Sequence, residues 1–362
     1  MLFGSVCSGI EAASQAWNYL GWKAAFFSEI DKFPCAVLSH HYGSNMPDQK
    51  YSSNGIPNYG DMNNYKDWPD ADISVLIGGT PCQSFSVAGL RKGLEDPRGN
   101  LMLTFGGVAK RYKPKWLLWE NVPGVLSSNK GKDFGTFLGM LAELGYGFSY
   151  RILDAQFTRV DGFERAVPQR RRRVFVVGYL GDWRPTAAVL LDPQSVSGNS
   201  KPYRKTGQKI TRKVSESTGS EKQVFGTLMA NSGDKLWLGN QEVFSGDYHI
   251  IGIPGNWIGR EPENGGNSKT PMFDISPSLT ATDRHGVSYQ SFVRRLTPLE
   301  CERLQGFPDN YTRIPYRGKS EDKCPDGPRY KALGNSMAVN VIRWIGQRIQ
   351  IVDDHINLNS ET

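Results

Sequence analysis

The residues best suited to chemistry lie in four short stretches. The first is GGTPCQSFSVAG, Gly78 to Gly89, where a strand-like run, Asp72 to Ile77, gives way to two glycines, a threonine, a proline and a single cysteine. Glycines let the backbone turn sharply and Pro81 restrains the approach of the next residue, so the Cys82 thiol can be presented at a strand end. Only the thiolate is a strong nucleophile, which demands cations or oriented dipoles nearby. A free cysteine is otherwise a small packing residue, and the choice rests on what lies downstream. Glu120 ends the apolar run Lys115 to Trp119 and supplies an acid. Gln169 and four consecutive arginines, Arg170 to Arg173, then open the apolar run RVFVVGYL. The fourth stretch is N-terminal: a turn at Cys7-Ser8-Gly9-Ile10, then Glu29, the kind of acid that in βαβ folds holds ribose hydroxyls about 20 positions after a glycine turn. With one glycine of a full dinucleotide fingerprint, this turn alone is a weak signal.

The elements that must position these groups read as alternating strands and helices. Leu2 to Val6 is a strand, Glu11 to Leu20 a helix stopped by Gly21, and Ala24 to Ser28 a second strand. Arg98 to Arg111 and Phe134 to Leu144 are helical, and Arg173 to Leu180 is a buried strand. Such alternation implies a parallel sheet with helices on both faces and ligands at the carboxyl ends of the strands, where Cys82, Glu120 and the first turn all fall. One shared site is the economical reading. Beyond Arg184 the texture changes to Ser-, Gly- and Asn-rich stretches, with a run free of acids, Lys201 to Lys213, whose six cations suit phosphate contacts or a solvated surface. Regular structure returns where Thr297 caps a helix, Pro298 takes its first position and Glu300 closes a capping box. Asn335 or Ser336 is expected to cap a last helix whose apolar face, Met337, Val341, Ile345 and Ile349, must dock on the first lobe.

Composition narrows the class. The 362 residues, 22% of them charged, suffice for one large core and a smaller unit. No apolar run is long enough to span a membrane, and the N-terminus lacks the order of a signal peptide, so a cytoplasmic protein is expected. Five cysteines without a CxxC pair argue against a disulfide framework and against a metal site. A formal net charge of +7 permits a polyanionic partner without requiring one.

The chain resembles the DNA (cytosine-5) methyltransferases of bacterial or phage type. SVCSGIEAA, FFSEID, GDMNN, IGGTPCQSFSVAG with KGLEDPRGNL, WENVPGV, VPQRRRRVFVVG, RRLTPLECERLQGFPDNY and RYKALGNSMAVNVI occur in family order over almost everything except about residues 185 to 292. The resemblance implies an α/β fold: a Rossmann-like S-adenosylmethionine-dependent domain with a mixed, mostly parallel sheet, residues 1–184 and 329–352, plus a small, irregular, β-rich target-recognition domain, residues 185–328. It implies methyl transfer to C5 of a cytosine flipped out of a specific duplex sequence, through a covalent bond from Cys82 to C6. Glu120 would hydrogen-bond N3 in its protonated form, with Arg173 and Arg171 lining the base pocket in the family pattern of Gln, any, Arg, any, Arg. Arg170 and Arg172 would face solvent or phosphate.

For S-adenosyl-L-methionine, the resemblance places the methionine moiety against Cys7, Ser8, Gly9 and Ile10, the ribose on Glu29 and the adenine on Asp61. Ile30, Met62, Gly79 and Pro81 join that set, and Asn335 and Ser336 close the methionine end. Cys7 and Glu11 depart from the family, which usually has Phe and a further Gly there. On the DNA side stand Gln83, Ser84, Ser86 and Arg98 of the family's mobile loop, Gln169, and Lys205, Lys209 and Arg212 of the basic run. Two small elements, Ser278-Leu279 and Thr227-Leu228, could read the target. Double-stranded DNA is the expected partner and a monomer the expected state, with no metal and no membrane; a cognate restriction endonuclease is not visible in one chain. An RNA methyltransferase of the same fold and a catalytically silent DNA-binding regulator remain as other readings.

Overall fold

In the computed structural model the described residues are 1–81, 101–160, 166–191, 251–253, 272–273, 276, 279, 286–289 and 292–360. Alternation along each strand decides the layers. In β3 (Val75–Gly78), Val75 and Ile77 enter one core while Leu76 enters the other; in β4 (Trp116–Asn121), Trp116 and Leu118 part from Leu117 and Trp119 in the same way. The sheet therefore carries a core on each face. Met102, Phe105 and Val108 of the helix Leu101–Tyr112, with Phe134 and Phe137 of the helix Lys132–Glu143, cover one face. Trp17 of the helix Ala12–Trp17 and Val341, Ile345 and Ile349 of the helix Val339–Ser360 cover the other.

Six strands form this sheet in the order β2-β1-β3-β4-β6-β5. β1 (Leu2–Val6) pairs in parallel with β2 (Lys23–Ser28) and with β3, which pairs in parallel with β4. β6 (Arg172–Leu180) runs antiparallel to β4 and to β5 (Tyr146–Asp154), so the sheet is mixed and mostly parallel, as expected. The reversal matters for the site. It brings the start of β6 to the edge where β1 to β4 end, opposing Glu120 to Phe175 and Asn121 to Val174. β5 was not evident beforehand. A second sheet, in the order β10-β9-β7-β8, holds Phe292–Arg295, Gly286–Tyr289, Ile251–Ile253 and Met272–Phe273.

The last helix returns to the first lobe and is pegged there by three tryptophans. The indole N–H of Trp17 donates to the Ile342 carbonyl at 2.9 Å, that of Trp22 to Gln350 at 2.6 Å and that of Trp116 to Asp353 at 2.8 Å. Its start differs from expectation. Asn335 instead ends a separate helix, Asp326–Asn335, and Ser336 caps that helix at its carboxyl side, because the backbone turns extended there before Val339. The capping box at Thr297 and Glu300 forms as read, with Pro298 opening the helix Pro298–Gln305. Leu296, Cys301, Leu304, Phe307 and Ile314 join the core that contains Phe3 and Trp17, and Arg348 of the last helix binds the Val189 carbonyl of the helix Arg184–Leu190 at 2.7 Å.

Close approach of the last helix to Trp17 depends on Gly346, where an added Cβ would meet Trp17 Nε1 at 2.2 Å. Alanine normally favours a helix over glycine by about 1 kcal/mol. Here Trp17 is fully buried and has nowhere to go, so overlap outweighs propensity. Gly346→Ala should lower unfolding free energy by about 1–3 kcal/mol, read from the denaturant midpoint, whereas an unchanged or higher midpoint would show that the helix can slide.

Candidate active site

β1 leaves the sheet through an unusual turn. Cys7, Gly9 and Glu11 all have left-handed backbone, with φ of 49°, 56° and 64°. For the two non-glycine residues this costs about 1–2 kcal/mol each, so the surroundings must hold them. Ser8 does part of this: its hydroxyl donates to the Ser5 carbonyl at 2.9 Å and accepts the Ser28 N–H at 3.0 Å, joining the ends of β1 and β2. Glu29 does the rest. One carboxylate oxygen accepts the Gly9 N–H at 2.8 Å and the other the N–H groups of Ile30 and Asp31 at 2.8 and 2.7 Å. Burial raises the Glu29 pKa while these three donors pull it back.

Asp61 caps the short 3₁₀ helix Met62–Asp67 by accepting the Asn63 N–H at 2.9 Å. The Cys7 thiol lies 3.4 Å from the Met62 sulfur; burial, then the Glu29 and Asp61 carboxylates, push its pKa up to about 12, so it is a poor nucleophile. Ile30 is 61% exposed beside Glu29, an apolar face left open at the end of β2. Ile10 instead packs in the core.

At the ends of β3 and β4 a second group converges. Glu120 is 9% exposed, and its Oε1 lies 3.1 Å from Arg173 Nε. Burial is the main influence on its acidity and raises the pKa; Arg173 and then Arg171 oppose it. The strand also holds the segment that leads to the predicted thiol. Trp119 donates its indole N–H to the Thr80 hydroxyl at 3.0 Å and Asn121 donates its side-chain amide to the Thr80 carbonyl at 2.9 Å. Gly79 leaves this corner open: an added Cβ would lie 2.9 Å from Met337 Cε and 3.2 Å from Glu120 Oε2, so both side-chain ends would have to shift. Thr80, Trp119 and Asn121 were not singled out beforehand, since their contribution is to position neighbours and leaves no motif of its own.

The arginine run divides by strand alternation. Arg170 and Arg172 are exposed, Arg171 is buried and Arg173 faces Glu120. Arg171 donates to the carbonyls of Leu279, Gly334 and Ser336 at 2.9, 3.2 and 2.6 Å, which binds the start of β6 to the link before the last helix. Burial, then Arg173, lower its pKa to about 9. Gln169 is fully buried with both ends of its amide unpartnered, and Leu279 is buried in the core. One cleft draws on Ser8, Gly9, Gly79, Glu120, Asn335 and Ser336. Pro81 is the last described residue on that side; Cys82, Gln83, Ser84, Ser86, Arg98, Lys205, Lys209, Arg212 and Ser278 lie outside the described residues.

A family model described as C-5 cytosine-specific DNA methylase matches residues 1–351. The chain belongs to this family. Among curated relatives it is 34% identical to a protein of Escherichia phage P1 named DNA N-6-adenine-methyltransferase, aligned over 96% of this chain and 61% of that protein. It is 31% identical to the Type II methyltransferase M1.ScrFI of Lactococcus lactis subsp. cremoris, over 90% of this chain and 72% of the relative. Among solved structures, the S. pombe Dnmt2 methyltransferase aligns over 97% of this chain and 99% of its own, with a TM-score of 0.57 at 18% identity, a likeness of fold.

Glu11, where the C-5 cytosine methylases usually have glycine, explains that preference through its left-handed backbone. Its side chain is fully buried; one oxygen accepts from the Ser14 N–H and hydroxyl at 3.0 and 3.2 Å, and the other, Oε2, has no partner. Burial raises its pKa to about 7, with the Ser5 and Ser14 hydroxyls and the Ser14 N–H opposing. A carboxyl whose folded pKa is raised adds stability below its unfolded value near 4.5 and loses it as pH rises through the folded value, here between about pH 4.5 and 7. On the order of 3 kcal/mol is at stake at 1.36 kcal/mol per unit. Glu11→Gln should therefore gain stability relative to the parent protein as pH rises from 5 to 7.5; parallel melting curves over that range would show that the carboxyl does not titrate there.

Proposed function

We propose that this chain transfers a methyl group from S-adenosylmethionine to C5 of a cytosine turned out of duplex DNA, with the Cys82 thiolate bonded transiently to C6. The observation that carries this reading is the buried Glu120–Arg173 pair at the sheet end, beside the Gly79–Pro81 segment that leads directly into Cys82. Cytosine C5 is a weak nucleophile. Addition of a thiolate at C6 breaks the C5–C6 double bond and pushes electron density toward N3, where a carboxylic acid can donate a hydrogen bond or proton. Burial of Glu120 favours that protonated form, and Arg173 keeps the group oriented without removing the bias. Methyl capture at C5, loss of the C5 proton and expulsion of the thiolate then restore the ring. Unstacking the base costs a few kcal/mol, which contacts to the duplex must offset.

When bound, S-adenosylmethionine supplies the electrophilic methyl group. The strand-end chemistry suits it: the Ser8-Gly9 turn and Asn335-Ser336 border one cleft, while Glu29 offers carboxylate oxygens for ribose hydroxyls, and Asp61 with exposed Ile30 offers an acceptor and an apolar face for adenine. Target reading is assigned to the region between the helix Arg184–Leu190 and Leu296, with Lys205, Lys209 and Arg212 on phosphates and Ser278 near the bases. Leu279, buried and held through its carbonyl by Arg171, serves as that region's anchor.

The name of the phage P1 relative raises adenine N6 as the competing target. An exocyclic amine is nucleophilic enough to need no thiol addition, so Cys82 separates the two chemistries. Incubation with duplex DNA and labelled cofactor, followed by nucleoside analysis, should yield 5-methyldeoxycytidine; N6-methyldeoxyadenosine, or transfer only to tRNA, would sink the reading. Cys82→Ser should lose transfer by at least about 100-fold while keeping duplex affinity, since a serine hydroxyl is far harder to ionise than a thiol, and the parent protein should form a stable adduct with 5-fluorocytosine DNA that this variant does not.

A further inference from the structure

Glu11 is the buried ionisable group that the reaction above leaves unused. Its backbone sits in the left-handed region at φ 64° and ψ 67°, a place where glycine would be free of strain. Its side chain is nonetheless buried completely, in a wall of the same cleft that Asn335 and Ser336 border. Ser14 satisfies one oxygen twice, through N–H and hydroxyl, and leaves Oε2 buried without a hydrogen-bond partner. No Lys or Arg among the described residues forms an ion pair with it. Its other neighbours are the hydroxyl of Ser5, also in that wall, which interacts weakly with the carboxyl and draws its pKa down, and the phenols of Tyr42 and Tyr311, which hydrogen-bond each other at 3.1 Å. Such an arrangement is costly without a ligand, because a buried acceptor left unmatched forfeits its hydration.

We infer that the Glu11 carboxylate is a further cofactor-binding group, which receives the α-ammonium of the amino-acid end of S-adenosylmethionine at Oε2. This rests on the cofactor assignment made above and deepens it. The amino-acid end carries one ammonium and one carboxylate; an unmatched carboxylate oxygen complements the first, and the hydroxyl and amide groups of Ser336 and Asn335 suit the second. A strained backbone is then the cost of placing an ionisable carboxyl where a glycine turn provides only peptide groups. Glu11 thereby makes the ammonium a feature on which affinity depends.

The test compares S-adenosylhomocysteine with its analogue in which hydrogen replaces the α-amino group, by calorimetry on the full chain and on Glu11→Gln and Glu11→Gly. A charge-assisted hydrogen bond predicts that the parent protein prefers the amino compound by on the order of tenfold or more. Both variants should lose most of that ratio, while thermal melting without ligand shows them folded. Glu11→Gly guards against a misfolded Glu11→Gln, since it removes the backbone strain with the carboxyl. A ratio as large in a folded variant as in the parent protein, or no preference in the parent, overturns the assignment of Glu11. Failure of the parent protein to bind either compound overturns instead the cofactor reading on which the assignment rests.

Discussion

The burial of Glu120 against Arg173 is the constraint around which the sheet end is arranged. A carboxyl in this place is driven toward its neutral form by loss of water, and a guanidinium 3.1 Å away pulls it toward the charged form. The balance requires both the acid and the base to be fixed, since an ångström of freedom would let water in and cancel the first effect. Fixation comes from pairing: Glu120 opposes Phe175 across the antiparallel ladder, and Arg173 opposes Leu153 on the far side. Neither side chain is on a loop.

The same strand reversal explains the division of labour among the arginines. Successive side chains on β6 point to opposite faces, so Arg171 and Arg173 share a side while Arg170 and Arg172 take the exposed one. Arg171 then spends its guanidinium on three carbonyls from residues 279, 334 and 336. That clamp draws together the sheet, the second sheet's surroundings and the link to the last helix, whose own position three tryptophan N–H groups secure. A charge buried at this depth persists because the carbonyl dipoles offset the cost of leaving water.

Across the cleft, the first turn meets a different demand. Three left-handed residues bring backbone N–H groups and the Glu29 carboxylate into one small space. The strain is held by hydrogen bonds from β2 and by the burial of Glu11. That this chain places an acid where the family commonly has glycine is a local exchange of conformational ease for charge.

Much of this was legible from residue order alone. Alternation and punctuation by glycine and proline located most strands and several helices of the first lobe, though not the helices Lys32–Tyr42 and Arg184–Leu190, because burial on two faces of a parallel sheet imposes local patterns. The capping box at Thr297 was readable for the same reason: its partners are three residues apart. Glu120, Arg173, Glu29 and Asp61 could be named as candidate site residues from motif order, together with the alternation of the arginine run. What local pattern could not supply was the partner of each group. β5 went unread, the helix Asp326–Asn335 took the place of an expected cap, and Glu11 stood only as a departure from the family pattern, with no sign that one of its oxygens is an unmatched acceptor. The order of strands, the antiparallel sense of β6, and the meeting of Arg171 with Ser336 across 165 positions depend on contacts distant in sequence. Residue types determined which chemistry this chain could hold; only the packing of distant segments decided which charges lose their water and which find a partner, and those two outcomes set the acidity of Glu11, Glu29, Glu120 and Arg171.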